Sequence, residues 1–317
     1  MSKPIPFNFG RSKNILKPVN ITFEKTNLDL DLSRVSYSKI DEQRKLVFPE
    51  QLTPELAEEI GMHLGDGFLS AKRNEYRLKG SYIDEREFYQ DFIKPLYKNL
   101  FNLDVNLKDY TQCYGFEVSS RALWTFKTNV LKIPAGRKTE IRVPDIVKVK
   151  NQEILAGLIR GYFDTDGCLS FVSKYGYPSY YPNINACSIS EYLINDVAQI
   201  LSMFGLRPYV WFDGNWWSVQ MFGYANFYRF LDLIGWNSKK YVDKINSWVL
   251  RYPKLSNGAD RLAWLGLRPV VCSQDKQKAC YASSNLALRP FRFPKPFISG
   301  KARIVESKFK LRGELNG

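Results

Sequence analysis

Two Asp-Gly pairs, Asp66-Gly67 and Asp166-Gly167, close two segments that repeat 100 residues apart. Pro54 to Gly67 recurs as Ile154 to Gly167, with small residues in register: Ala57, Gly61 and Gly65 against Gly157, Gly161 and Thr165. His63 is the only histidine, so a Ser-His-Asp triad or a histidine-dependent nuclease site has no base to use. The five cysteines (Cys113, Cys168, Cys187, Cys272 and Cys280) include no CxxC pair, which argues against a zinc site and fits free thiols in a reducing compartment. What remains is chemistry by carboxylates, alone or through a metal, and Asp66 and Asp166 are the pair that the repeat singles out.

A spacing of four places each set of small residues along one stripe of a helix. Thr53 ahead of Pro54, and Asn151 ahead of Gln152 and Glu153, suit the two N-termini. Gly67 and Gly167 suit the left-handed position just past a helix end. A helix interior loses roughly 1 kcal/mol per Gly relative to Ala, and close backbone packing would compensate. Two such helices laid stripe to stripe would meet almost backbone to backbone and bring Asp66 and Asp166 together at one end.

The flanks repeat as well. Tyr76 to Ser81 reads as a strand and Asp84 to about Leu100 as a helix; Pro182 to Cys187 and Ser190 to Phe204 are the second copies. A hairpin follows each, the second turning at Asp213-Gly214-Asn215, and then a last helix near Ser120 to Leu131 and Tyr224 to Ile234. Each half therefore reads αββαββα.

The chain has 317 residues, 44% hydrophobic and 15% aromatic, which suffices for a folded core. No apolar run is long enough to span a bilayer, and Met1 to Gly10 lacks a secretory pattern, so the expected setting is intracellular, with no membrane partner. The net charge of +14 points to a polyanion. It is unevenly spread: residues 251–317 hold fourteen basic and four acidic side chains, whereas 151–250 hold seven and eight. DNA binding by the body must then come from local patterning.

Both segments resemble the LAGLIDADG motif, and Leu155 to Gly167 looks like the variant of archaeal intron-encoded and intein-encoded enzymes. The resemblance covers roughly residues 50 to 250. It implies an α+β fold of duplicated αββαββα half-domains, with two saddle-shaped antiparallel sheets joined by a pair of packed motif helices. It further implies a monomeric homing endonuclease that cuts both strands of a long, asymmetric DNA site with Mg²⁺ or Mn²⁺. Asp66 and Asp166 would be catalytic metal ligands, with Gly65 and Thr165 beside them. Each strand needs its own scissile site, and one Asp per helix meets that demand. The bland alternative is a pair of polar helix-end residues. Asp164 faces Leu64 in the alignment, so it has no symmetric role, and His63, opposite Phe163, reads as a packed helix residue.

By strand alternation Arg77, Lys79 and Ser81 share one face, and Asn183, Asn185 and Cys187 share the other half's. In the family, residues on these strands order water at the cleavage centre, which makes Lys79 and Asn185 the auxiliary candidates; simple phosphate contact is the alternative. DNA contacts are expected from Ser70, Lys72, Arg73, Arg77, Lys79 and Ser81 in the first half and from Ser170, Lys174, Asn183 and Asn185 in the second. The second half is also rich in aromatics (Tyr175, Tyr177, Tyr180, Tyr181, Trp211, Trp216, Trp217), so its contacts should be less ionic, with core packing the competing role for most of these rings. Lys132 to Lys150, with Arg137, Lys138 and Arg142, links the halves and is a further candidate for the DNA backbone.

The expected division is an N-terminal extension (1–50), two half-domains (51–150 and 151–252) and a basic, flexible C-terminal extension (253–317). Met1-Ser2-Lys3 at the start and Asn316-Gly317 at the end argue for a free-standing chain and against an intein. Rival readings are an intron maturase, with host intron RNA as partner, and a DNA-binding regulator that has lost catalysis. Retention of both aspartates favours cleavage.

Overall fold

The computed structural model describes residues 27–174 and 176–252. A short helix α1 (Lys39–Gln43) comes first, closed by a capping box between Ser38 and Asp41. The first half follows: α2 (Pro54–Gly65), β1 (Gly67–Leu69), β2 (Glu75–Ser81), a helix made of α3 (Arg86–Phe88), a π turn (Tyr89–Ile93) and α4 (Lys94–Phe101), then β3 (Lys108–Asp109), β4 (Cys113–Ser119) and α5 (Arg121–Thr125) running into a second π turn (Phe126–Val130). The second half repeats the order as α6 (Gln152–Thr165), β5 (Gly167–Lys174), β6 (Tyr177–Ser188), α7 (Glu191–Met203), β7 (Tyr209–Phe212), β8 (Trp217–Phe222) and α8 (Tyr224–Leu233), and adds α9 (Lys239–Arg251). Each half holds one four-stranded antiparallel sheet, ordered β1-β2-β4-β3 and β5-β6-β8-β7. The duplicated α+β architecture is as the repeat implied.

Local chemistry explains the element ends. The Thr53 hydroxyl accepts from Leu56 N at 3.2 Å, and the Asn151 side chain accepts from Glu153 N and Ile154 N at 2.9 and 3.2 Å, supplying partners for donors left over in a first turn. The helix read as Asp84 to Leu100 contains Pro95, which has no N–H to give, and a π turn lies immediately before that step. Asp213 accepts from both Asn215 N and Trp216 N at 2.8 Å, while Gly214 takes φ +105°, closing the β7–β8 hairpin.

The motif helices meet backbone to backbone. A Cβ on Gly61 would lie 2.0 Å from Leu158 O, one on Gly161 2.0 Å from Glu58 O, and one on Gly157 2.4 Å from Pro54 O. At the far end Thr165 fills the notch left by Gly65, and its hydroxyl donates back to Gly161 O at 3.0 Å. Gly67 and Gly167 correct the expectation made for them. Neither has positive φ; each instead begins a strand pressed so tightly on the preceding turn that a Cβ would meet His63 Cα at 2.6 Å or Phe163 O at 2.2 Å.

Residues 27–50 are not a separate extension. Leu30, Leu46 and Phe48 are buried, Ser36 N donates to Thr125 Oγ1 at 3.0 Å, and Asp41 accepts from Ala122 N at 3.1 Å, so this segment seals the last helix of the first half. The extension from 253 lies outside the described residues. No helix among the described residues is long and apolar enough to cross a membrane.

Candidate active site

The two motif helices end side by side, and Asp66 and Asp166 are their C-caps with matching backbone, φ −87° in both. Both are half-buried. A Cβ on Gly65 would lie 3.3 Å from the carboxyl carbon of Asp166, and one on Gly80 would lie 3.0 Å from Asp66 Oδ2, so Asp166 lies against the end of the first motif helix and Asp66 against strand β2. Burial pushes Asp66 well above the usual carboxylate range, and the Asp166 and Glu85 carboxylates push the same way. Asp166 is pushed up to about 6, chiefly by burial, with Glu85 adding to it and Lys138 and Lys240 opposing. Both aspartates also sit at the negative ends of their helix dipoles.

Three residues complete the cluster that the motif alone did not identify. Lys138, from the linker, donates to the carbonyls of His63, Leu64 and Gly65 at 3.0, 3.1 and 2.5 Å, capping α2 with an ammonium group. Burial draws it down to about 8, with Asp166 and Asp66 holding it up. Glu85, almost fully buried, accepts from Ser81 N at 2.7 Å and from Lys240. Lys240 comes from α9 in the other half, so this ion pair crosses between the halves. A signal for one of these was available in Gly80: a glycine inside a strand marks a close approach, and a Cβ there would lie 1.9 Å from Glu85 Oε2. Lys138 and Lys240 carried no comparable mark, because each is brought in by a loop or helix whose path the motif does not set.

Asp164 is buried in a different role. Its carboxylate accepts from Asn237 N and Ser238 N, at 3.0 Å each for the closest oxygens, and so fixes the turn that launches α9. Arg160 and Glu58 pair across the motif helices at 3.0 Å, and Asn237 Nδ2 donates to Glu58 at 2.5 Å. Glu58, Arg160 and Asp164 thus tie α9, and with it Lys240, to the helix pair.

The auxiliary candidates need a correction of register. Leu78 pairs with Gly67 as Ala186 pairs with Gly167, and Arg77 faces Glu117 as Asn185 faces Gln220. The counterpart of Lys79 is therefore Cys187, and that of Asn185 is Arg77. Lys79 is held by Glu117 at 3.0 Å, and its ammonium lies 3.5 Å from the centroid of the Tyr110 ring. Arg77, Lys79 and Ser81 do share a face, as do Asn183, Asn185 and Cys187. Lys72 and Arg73 are exposed at the β1–β2 turn, which Ser70 Oγ organises by accepting from both of their amides. Asn183 donates to Ser170 Oγ at 3.3 Å, and Lys174 stands 3.6 Å from the centroid of Tyr181. Arg142, a candidate for the DNA backbone, is paired with Asp196 at 3.1 Å. Of the second-half aromatics, Tyr177 and Trp216 are exposed and Tyr180, Tyr181, Trp211 and Trp217 are half-buried, so none is a fully enclosed core ring; Tyr175 lies outside the described residues.

Among the described residues, no three or more His, Cys, Asp or Glu side chains converge as a complete metal cage. Two carboxylates raised by burial and like charge nonetheless suit a hard cation that keeps waters or phosphate oxygens in its shell, as Mg²⁺ does. The Gly65 carbonyl receives Lys138, and the Thr165 hydroxyl donates within its own helix.

Residues 153–235 match the family model for a LAGLIDADG-like domain. The chain is 31% identical over 162 residues to the glutamine–fructose-6-phosphate aminotransferase (isomerizing) of Methanocaldococcus jannaschii, covering 50% of this chain and 13% of that protein. It is 30% identical over 159 residues to the DNA polymerase II large subunit of Thermococcus kodakarensis, covering 49% and 8%. It thus spans a small fraction of these relatives' length. Similar solved structures include the homing endonuclease I-DmoI in complex with DNA and Mn (17% identity, TM-score 0.42, 58% of this chain and 98% of that one) and the N-terminal LAGLIDADG domain of DUF199/WhiA (12%, 0.39, 64% and 92%). The motif stripe is present in both halves, the two stripes pack backbone to backbone, and the second half is similar to the LAGLIDADG-like domain family.

Proposed function

We propose that the chain is a site-specific double-stranded DNA endonuclease that works as a monomer on a long, asymmetric site. The observation that supports it most is the pair Asp66 and Asp166 at abutting helix ends, each lifted above its ordinary pKa, with the charge of Lys138 acting on both. Asp66 and Asp166 would hold Mg²⁺ or Mn²⁺. The bound metal would supply an activated water, charge neutralisation on the phosphate and support for the leaving oxygen. Lys138 and Lys240 keep positive charge beside the carboxylates, and the latter is oriented by Glu85. Arg77, Lys79, Ser81, Lys72 and Arg73 would meet one half-site, and Ser170, Lys174, Asn183 and Asn185 the other.

The two curated relatives have chemistries with nothing in common, which supports a self-contained module and neither transferase nor polymerase activity for the shared segment. The archaeal intron-encoded subtype belongs to the same proposal, as do the half-domain limits near residues 150 and 252. A maturase or a regulator would need neither aspartate. The test is cleavage selection from a randomised duplex library with Mg²⁺, followed by Asp66→Asn and Asp166→Asn on the recovered duplex. Full double-strand cleavage by both variants overturns the assignment.

A further inference from the structure

The sheet surfaces of the two halves are built from different chemistry. In the first half, the outward row runs through Phe68, Arg77 and Glu117, and the next, through Lys79, continues across Gly115 to Lys108. In the second half the row matching Arg77 is Cys168, Asn185, Gln220 and Tyr209, the row matching Lys79 is Cys187, Ser218 and Trp211, and the row on the other side of Asn185 is Ser170, Asn183 and Phe222. None of these second-half rows holds a charged side chain. Phe222 and Tyr209 are exposed to 46% and 48%, although large rings on a sheet surface gain by being covered.

The amides on this face are held in place. Gln220 Nε2 donates to Asn183 Oδ1 at 3.0 Å, and Asn183 Nδ2 donates to Ser170 Oγ at 3.3 Å. An amide has two donor hydrogens and a two-lone-pair carbonyl, so each keeps capacity for a base edge. The adenine major-groove edge offers one acceptor and one donor, which an Asn or Gln side chain matches with both of its groups. Guanine offers two acceptors, which call for Arg or Lys. An apolar ring finds its partner in the thymine methyl group.

From this contrast we infer that the stretch of half-site under Asn183, Asn185 and Gln220 is A·T-rich, read by these amides with Phe222 against thymine methyls, while guanines are favoured in the half-site under Arg77 and Lys79. The inference rests on the placement of duplex DNA along the sheets in the proposed function.

The experiment takes the full chain and a duplex pool randomised across the site, with Ca²⁺ for binding and Mg²⁺ for cleavage, and repeats the selection with Gln220→Arg. A stretch in one half of the recovered site is expected to be A·T-rich. Gln220→Arg should move one position in that half to G·C, by about tenfold or more in relative enrichment. Recovery of two halves of equal composition overturns the inference and leaves the endonuclease reading in place. So does a Gln220→Arg change that falls in the G·C-containing half. Bound but uncut A·T-rich duplexes support the inference and sink the nuclease reading, and no enrichment from any duplex pool sinks both.

Discussion

The two halves of this molecule share an element order, a sheet topology and a motif, yet they are filled with opposite chemistry. Inside the first half, Glu59 and Lys127 are both 0% exposed and pair at 2.5 Å. Tyr97 donates to the same Glu59 oxygen, the Tyr97 and Tyr76 hydroxyls lie 2.8 Å apart, and His63 stacks on Tyr76. In the second half the position of Glu59 is Ile159 and that of His63 is Phe163, whose ring packs edge-on against Phe230 at 5.1 Å. Outside, the Arg77 and Lys79 rows of the first sheet are ionic, and the Asn185 and Asn183 rows of the second are neutral. The fold thus depends on the glycine stripe and on strand alternation, while the interior and the exposed face of each half are free to diverge. The network centres on Glu59 Oε1, which accepts from both Lys127 and Tyr97, while Glu59 Oε2 and His63 Nδ1 have no hydrogen-bond partner among the described residues, so it is vulnerable to the loss of either donor.

The sharpest break in the comparison is at the shared site, where the halves should be equal. Asp66→Asn and Asp166→Asn should each reduce double-strand cleavage by roughly a thousandfold or more, through loss of metal-ion charge stabilisation. Metal-free, each variant should melt no lower than the parent. The sign follows from burial: a carboxyl whose folded pKa is raised to about 6, as for Asp166, contributes stability below its unfolded value, and that contribution is lost as pH rises through about 6. Cleavage should rise over the same window as the ligands ionise. Thermal melts and pH–rate profiles on the same variants check both, and a destabilised Asp166→Asn would contradict the desolvation account.

Removing the polar core from one side only should be nearly as severe. Lys127→Met leaves the Glu59 charge buried without its cation, at a cost of about 3–5 kcal/mol. Copying the second half with Glu59→Ile in addition should recover most of that loss, as measured by urea unfolding. If the single variant is as stable as the parent, the network is not what holds the first half together. The motif stripe, by contrast, should punish both halves: Gly61→Leu and Gly161→Leu should each cost about 1–3 kcal/mol or more by overpacking, because the facing atoms are backbone carbonyls that cannot move aside. Stability and cleavage should fall together, and a variant with normal melting and activity would mean that the helices do not touch there.

This contrast also marks what could be read from the residues alone. The duplication, the stripe, the helix N-caps and the outward strand faces were legible because each is a local pattern with one physical meaning. The register between halves was not. Offsets of 100 in the motif become 108 at β6, because the β1–β2 turn is short and the β5–β6 hairpin long, and the difference moves Lys79 from opposite Asn185 to opposite Cys187. Helix α9 went unread because its apolar residues Tyr241, Ile245 and Trp248 follow the last repeated element and match nothing in the first half. Lys138, Glu85 and Lys240 reach the aspartates only through tertiary structure, and Asp164 gains its role from a turn 73 residues away.

The smallest expected effect lies on the exposed faces, at Glu117, whose counterpart is Gln220. Glu117 holds Lys79 at 3.0 Å and Arg77 at 3.2 Å, and its carboxyl is kept below the usual range by the Lys79 hydrogen bond first and by burial-opposed attraction to both cations after it. Glu117→Gln would give the first half the second half's residue while leaving both cations in place. Exposed ion pairs of this kind contribute only about 0–1 kcal/mol, so folding stability should barely change. DNA should respond differently. Lys79 would be released toward phosphate while Arg77 stays paired with Glu75 at 2.5 Å, so affinity for the recovered duplex should rise severalfold at low salt, and the slope of log affinity against log salt should steepen by about 1. At high salt the variant and parent should converge. The matching change on the other face, Gln220→Glu, should weaken binding and flatten the slope. A Glu117→Gln variant with unchanged salt dependence would mean that Lys79 points to solvent and not to DNA, and that the ionic and neutral faces do not divide the target between them.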